Sequence, residues 1–303
     1  MLLDKFDSLY SSLTGKSRIQ SAFRFFIREL NDILIPIYFK LFPVYISQLP
    51  VSSEKRVIVS LTTFPQRIGR LWIVIECLLR QSVLPNEIIL YLAKSQFPQE
   101  WDNIPKRLLK YRDLGLLTIS FKEEDIRSHK KYYYALQDFR NDIIITVDDD
   151  IYYASNIISD LMTLHDQHPD TICCLRGYKV LKKEGNILPY RQWEVLYQKR
   201  GPLFDIFHTS GGGTLYKKSF FSEEVFNKDL FMRHCRYADD IWLNIMAQLN
   251  HTKTVRGRYY SNLLPIKTRS IALSKENVKF GGNDKQLKAL INIYNLKEDE
   301  IFN

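Results

Sequence analysis

Cysteine is scarce in this chain of 303 residues. Its four cysteines, Cys77, Cys173, Cys174 and Cys235, form no CxxC pair. That excludes a zinc ribbon and a disulfide framework, and a reducing, cytoplasmic compartment is the simplest expectation. The six histidines show no zincin spacing, so a metalloprotease has no support. Also missing are a GxSxG elbow, a GxGxxG turn and a Walker loop. Their absence argues against a serine hydrolase of the elbow type, a nicotinamide fold and a P-loop ATPase. There is no internal repeat and no low-complexity tract. No apolar run reaches the ~20 residues of a spanning helix. The most apolar stretch, residues 33–49, contains Lys40 and two prolines, Pro36 and Pro43, which predict an interrupted helix. The start does not read as a signal peptide, because Asp4, Lys5 and Asp7 break its first apolar stretch.

What is present is an ordinary globular composition with a basic surplus. Forty-three Lys and Arg against 34 Asp and Glu leave a charge of +9, which suits a phosphate-bearing partner or an anionic membrane face. From residue 56 the chain alternates strand and helix patterns. RVIVSLTT (56–63), EIILYLA (87–93), LLTISF (116–121) and DIIITV (142–147) are apolar and β-branched, as buried strands are. Helical spacing separates them at 71–82, 106–111 and 130–139. This order predicts an α/β, Rossmann-like, mostly parallel sheet with helices on both faces. Ligands of such sheets bind beyond the carboxyl ends of the strands. Thr62-Thr63 and the triplet Asp148-Asp149-Asp150 should therefore share one rim. After residue 150 the pattern changes: a helix over 155–167, a strand TICCLRGY, a meander over 178–207, a helix near 237–249 and another near 283–295. A basic tail runs from 254 to 270. Before the sheet, Ile19, Phe23, Phe26, Ile27, Leu30 and Leu34 recur at helical spacing with Arg18, Arg24 and Arg28. That stretch is expected to lie in a membrane interface or to pack as a helix on the main domain or a partner.

Four constellations could carry chemistry. Three adjacent carboxylates at a strand exit repel one another unless a cation neutralises them. A hard divalent ion does this best. Alternate residues project similarly from a strand end, so Asp148 and Asp150 are the expected metal ligands. In SLTTFPQRIGR, hydroxyls can bind a base or ribose, and Arg67 and Arg70 can fork onto phosphate. In RSHKKYYYAL, Lys131 can reach a diphosphate or the Asp cluster. In HTSGGGTLY, Gly211, Gly212 and Gly213 let the backbone approach a ligand closely. Of Asp239 and Asp240, which open the helix RYADDIWL, one can cap it and the other can act as a base.

These motifs, in this order, resemble the nucleotide-sugar glycosyltransferases of the A-type fold, most closely the bacterial enzymes that decorate capsule or lipopolysaccharide. VIVSLTTFPQRI, KKYYYAL, DIIITVDDDIYY, ADDIWL and GGNDKQLKALI carry the resemblance, over roughly residues 56–293. It implies that Thr62, Thr63, Arg67, Lys131, Asp148 and Asp149 bind the donor, a UDP-sugar for preference. Asp148 and Asp150 would hold Mn²⁺ or Mg²⁺. Gly211, Gly212, Gly213 and Asp239 would face a glycan or lipid-linked saccharide acceptor, and Asp240 would be the catalytic base of an inverting hexosyl transfer. Relatives often add a metal ligand near the C-terminal end of the domain, for which His251 and Asp284 are the candidates. The implied division is an N-terminal helical, membrane-associating segment, 1–54, before a transferase domain, 55–303. That domain has a nucleotide-sugar half, 55–153, and an acceptor half, 154–303. The implied place is the inner face of the cell membrane.

Two other readings compete with this one. A nucleotidyltransferase making sugar nucleotides would carry a Gly-rich basic loop after the first strand, where this chain has TTFPQR. A nucleic-acid-binding protein would interleave a basic stripe with aromatics, and the Asp triplet would repel a phosphate backbone; no nucleic-acid partner is expected.

Overall fold

The computed structural model describes residues 1–15, 17–44, 46, 48–50, 55–257, 263–268 and 281–303. Residues 258–262, 269 and 270 of the basic tail lie outside them. Among the described residues the main sheet has eight strands: β1 (Val57–Thr62), β2 (Glu87–Ala93), β3 (Thr118–Lys122), β4 (Ile143–Val147), β5 (Ile172–Cys174), β6 (Arg200–Leu203), β7 (Gly212–Tyr216) and β8 (Thr254–Arg256). Their order is β6-β8-β5-β7-β4-β1-β2-β3. The half β4-β1-β2-β3 is parallel throughout. The β7 strand runs antiparallel to both β4 and β5, and β8 is parallel to β5.

Every residue from Val57 to Leu61 is buried. Alternate residues of a strand point to opposite faces, so both faces of the sheet are covered. That is why these strands read as unbroken apolar runs. The helices are α1 (Leu2–Ser12), α2 (Arg18–Leu41), α3 (Pro65–Ile68), α4 (Leu71–Leu78), α5 (Lys106–Asp113), α6 (Lys130–Asp138), α7 (Ile157–Gln167), α8 (Lys228–His234), α9 (Asp239–Leu249) and α10 (Gly282–Ile293). Helix α6 packs over β1, β2 and β4, and α7 over β5 and β7. The Ser60 hydroxyl of β1 donates to the carbonyl of Lys131 at 2.6 Å. This bond fixes the height of α6 along the sheet.

Parallel register sets the rim. Val57 stands opposite Ile143 and Ser60 opposite Thr146, so β1 and β4 run out side by side. Thr63 and Asp148 therefore leave the sheet at one edge. The expected strand TICCLRGY is split. Its first part is β5; its second, Gly177–Lys179, joins a small antiparallel sheet with Glu194–Val195 and Ile206–His208. The break comes where the Arg176 carbonyl turns to accept Thr209 N–H at 3.2 Å.

The prolines do not interrupt the N-terminal segment as expected. Pro36 lies inside the 24-residue α2, and Pro43 falls beyond its end. A proline removes one ladder bond, here the one to the carbonyl of Asp32. That turn is fastened from outside, since the Asp32 carboxylate accepts Tyr152 Oη at 2.8 Å and Arg70 at 3.1 Å. Ile27, Asn31, Ile35 and Phe39 form the buried face of α2. Leu3, Ile35 and Phe39 belong to the same apolar cluster as the sheet. No helix among the described residues is long and apolar enough to cross a membrane.

Asp7 of α1 is buried and makes no ion pair among the described residues. Burial, with Asp4 nearby, pushes its carboxyl up to about 7. A carboxyl raised on folding stabilises the fold below its ordinary range near 4, and that contribution is lost as pH climbs through about 7. Asp7→Asn should therefore match the native chain near pH 4 and exceed it at pH 8 by at least ~1 kcal/mol. Chemical denaturation at the two pH values checks this.

Candidate active site

One cavity of about 800 Å³ opens at the carboxyl rim of β1 and β4. Thr62, Thr63, Arg67, Lys131, Asp148, Asp149, Asp150, Gly211, Gly212, Asp239 and Asp240 all line it. The topology thus brings together five sequence segments up to 178 residues apart (Thr62 to Asp240). Gly213 is the exception: a Cβ there would meet Leu175 and Leu161 in the core. Its φ of +87° suits glycine, so its part is to shape the backbone.

The Asp triplet is sorted by its neighbours. Asp149 is buried and turns inward, accepting Thr63 Oγ1 at 2.5 Å and Arg67 at 2.8 Å. The same guanidinium lies 2.7 Å from Asp150. Asp148 faces the cavity and accepts Lys131 Nζ at 2.7 Å. Its backbone N–H donates to Tyr153 Oη, which in turn donates to the carbonyl of Gly211. Thr146 Oγ1 donates to the carbonyl of Ser210 at 2.7 Å. The glycine segment is thus tied to the end of β4. Thr62 spends its hydroxyl on the Tyr91 carbonyl at 2.8 Å.

Lys131 joins the two halves of the cavity. Its ammonium is buried and also meets Asp239 at 3.2 Å. Burial alone would lower its pKa, but Asp148, Asp239 and Asp240 outweigh that and hold it well above the ordinary range. The other cations of its run are claimed elsewhere: Asp125 pairs with Lys130 and Arg127. Neighbouring His129 is a core residue. Its Nε2–H donates to the Cys235 carbonyl, its Nδ1 accepts from Tyr132, and burial pushes it down to about 4.

Asp239 and Asp240 differ sharply although adjacent. Asp239 accepts Ser210 Oγ at 2.6 Å. Burial would raise it, but Lys131, His129 and Ser210 hold it down at about 2. Asp240 accepts the Ser210 N–H at 2.7 Å, and Ser210 also meets it through its side chain; no cation makes an ion pair with it among the described residues. Burial, and then the charge of Asp239, raise it to about 7. Environments that push paired carboxyls apart separate a permanent anion from a proton acceptor.

The carboxylates also test for a metal. Asp150 is raised to about 7, by burial and then by Asp148, with Arg67 compensating only in part. Asp148 and Asp150 each meet one cation and line the open cavity, which fits Mn²⁺ or Mg²⁺ bound through one or two carboxylates, the remaining positions left to substrate phosphate and water. A closed protein cage is a different matter: no group of three or more His, Cys, Asp or Glu is placed to hold an ion among the described residues. Neither His251 nor Asp284 lines the cavity. The Asp284 carboxylate instead accepts Tyr190 N–H at 2.7 Å.

The far wall was not legible in the sequence. Arg176, Tyr178 and Tyr190 line it. Arg176 donates to Tyr178 Oη at 2.5 Å, and Tyr190 packs on Tyr178 and Trp193. The one signal was the density of aromatics in the meander 178–207. The chain's turn at Arg176 is what brings them inward.

Gly211 is required on steric grounds, because a Cβ there would overlap the Asp148 carboxylate. Gly211→Ala should move Asp148 off Lys131 while the sheet persists. A crystal structure of the variant checks the displacement, and its melting temperature checks the fold.

Residues 63–224 match the family described as Glycosyl transferase family 2. No curated protein matches the chain. Among solved structures, TarS of S. aureus is 17% identical with a TM-score of 0.41, over 68% of this chain and 36% of TarS. TarS 1–349 in complex with UDP-GlcNAc is 16% identical with a TM-score of 0.44, over 72% of this chain and 60% of that one. A 4-diphosphocytidyl-2C-methyl-D-erythritol synthase from Anaerococcus prevotii is 14% identical with a TM-score of 0.43, over 77% and 96%. This chain thus spans little more than a third of TarS, and likenesses of this degree decide nothing about the reaction. The family match covers more than half of the chain, from Thr63 through the Asp triplet and the glycine segment, and by it the chain belongs to glycosyl transferase family 2.

Proposed function

We propose that the protein transfers a sugar from a nucleoside diphosphate sugar, a UDP-sugar for preference, to a hydroxyl of a glycan or lipid-linked saccharide. The observation that carries this reading is the division of one cavity by Lys131. On one side stand Thr63, Arg67 and the Asp triplet; on the other stands Asp240, raised to about 7 and facing an aromatic wall. Thr62, Thr63, Arg67 and Asp149 line the nucleotide side. Gly211, Gly212 and Asp239 shape the passage to the acceptor. The order of motifs along the chain supports a place in the assembly of a capsule-type or lipopolysaccharide-type surface polysaccharide.

Asp148 and Asp150 would hold the divalent ion. When bound, it would offset charge on the departing diphosphate. The chain's own groups do the rest. Lys131 keeps its proton and presents fixed positive charge between Asp148 and Asp239. Asp240 takes the proton of the acceptor hydroxyl. The acceptor oxygen then bonds to the anomeric carbon as the bond from that carbon to phosphate oxygen breaks. The nucleoside diphosphate leaves with the electron pair. Asp239 is committed to Lys131 and Ser210, so one free carboxylate remains on the acceptor side. That supports direct attack with inversion.

Asp240→Asn should keep nucleotide binding and lose ~10²–10⁴-fold in kcat. The native rate should climb as pH rises through about 7, where the base loses its proton, and the variant should lack that limb. If Asp239→Asn is the dead variant while Asp240→Asn turns over normally, the assignment of the base falls.

Asp150→Ala should remove the divalent-dependent part of nucleotide binding, read by thermal shift with UDP with and without Mn²⁺. Full activity of the native enzyme in EDTA would sink the metal assignment. Product analysis separates the main alternative: release of nucleoside diphosphate marks sugar transfer, whereas release of pyrophosphate would mark nucleotidyl transfer.

A further inference from the structure

Helix α2 carries an apolar face that nothing among the described residues covers. Ile19, Phe23, Phe26, Ile33, Ile37 and Leu41 are 49% to 72% exposed. At 100° per residue they fall within one stripe about 80° wide, on the side away from buried Asn31 and Ile35. A 24-residue helix is about 36 Å long, so the stripe far exceeds the scattered apolar residues of an ordinary surface.

We propose that this stripe lies in the surface of an anionic lipid bilayer, in the plane of the membrane. Three observations select that occupant. First, the acidic groups of α2 are already neutralised. Glu29 meets Lys267 at 2.7 Å and Arg28 at 3.5 Å. Asp32 is held by Arg70, Tyr152 and the Lys267 N–H. Arg18 and Lys40, near the two ends of the helix, make no ion pair among the described residues. The face therefore offers apolar area between two cations that no described carboxylate pairs, which complements an anionic leaflet.

Second, the stripe is poor as a seam between helices. Coiled-coil seams favour Ile, Val or Leu at the core positions and complementary charges beside them. Here Phe23 and Phe26 occupy the seam, while Ala22, Glu29 and Pro36 lie along one side of it. Third, no helix among the described residues is long and apolar enough to cross a membrane, so lying in the interface is the mode of lipid contact open to α2.

The contact has a consequence for geometry. Asp32 ties α2 to Tyr152, two residues beyond Asp150, and to Arg70, three beyond Arg67. The plane of the stripe is thereby fixed relative to the cavity, and a docked molecule presents its mouth at a constant angle to the bilayer.

The test is sedimentation of the full chain with vesicles of phosphatidylcholine alone and of phosphatidylcholine doped with phosphatidylglycerol. It is paired with light scattering for mass and with melting temperature. The native chain should sediment with the anionic vesicles at low salt and much less with the neutral ones. The variant F23S/F26S/I33S should stay in the supernatant, with an unchanged melting temperature because all three side chains are exposed. R18Q/K40Q should bind roughly 25-fold more weakly at low salt, about fivefold for each charge. Equal sedimentation of the native chain and the triple-serine variant would overturn the proposal. So would a native chain that ignores anionic vesicles, whether monomeric or a dimer that the triple variant abolishes. The dimer would assign the face to a second copy. None of these readings depends on catalytic activity.

Discussion

The buried ammonium of Lys131, placed between Asp148 and Asp239, is the constraint on which the site depends. A buried charge is costly unless it is paired and hydrogen-bonded, and this one has carboxylates on both sides. Each carboxylate comes from a different half of the chain: one from the end of β4, the other from the start of α9. The ion pairs work as a clamp that sets where the second half sits on the first. Ser60 supports the clamp from below by holding the Lys131 carbonyl on β1. Removing either carboxylate would leave positive charge buried with half its compensation.

The same clamp explains why two adjacent aspartates have opposite characters. Asp239 is drawn into the ion pair and keeps its charge, whereas Asp240 looks into the cavity with no cation paired to it among the described residues. Burial and then the negative charge of Asp239 act against ionisation of Asp240. The triplet at β4 is divided by the same logic. Asp149 sinks onto Thr63 and Arg67 and serves the packing of the rim. Asp148 and Asp150 keep their outward aspect at the cost of mutual repulsion. Both ends of the cavity thus hold a carboxyl whose pKa is raised to about 7, Asp150 at one and Asp240 at the other.

The N-terminal helices follow a different principle. Their inward face joins the common core through Leu3, Ile35 and Phe39, and Asp32 locks α2 to the rim of the site. Their outward face has no such partners among the described residues. Exposed apolar area of that extent is characteristic of contact surfaces. Because the helix is attached to the rim of the site, whatever met that face would be held at a fixed orientation to the cavity.

The alternation of buried strands and helices was legible in the sequence because β-branched apolar runs and helical spacing are local properties. The order of motifs also placed Thr63, the Asp triplet, Lys131 and Asp240 in the chain, since strand ends in a parallel sheet share one edge. Tertiary structure decided what each does there. Only the folded chain shows that Lys131 is committed between two carboxylates, that Asp149 is buried while its neighbours are not, and that Gly213 belongs to the core. It also decided that Arg176, Tyr178 and Tyr190 form the far wall, and that Pro36 sits inside a continuous helix held by Asp32. The physical reason is common to all of these. A side chain's charge state, exposure and partners depend on groups distant in sequence, and no local pattern encodes which distant groups will meet.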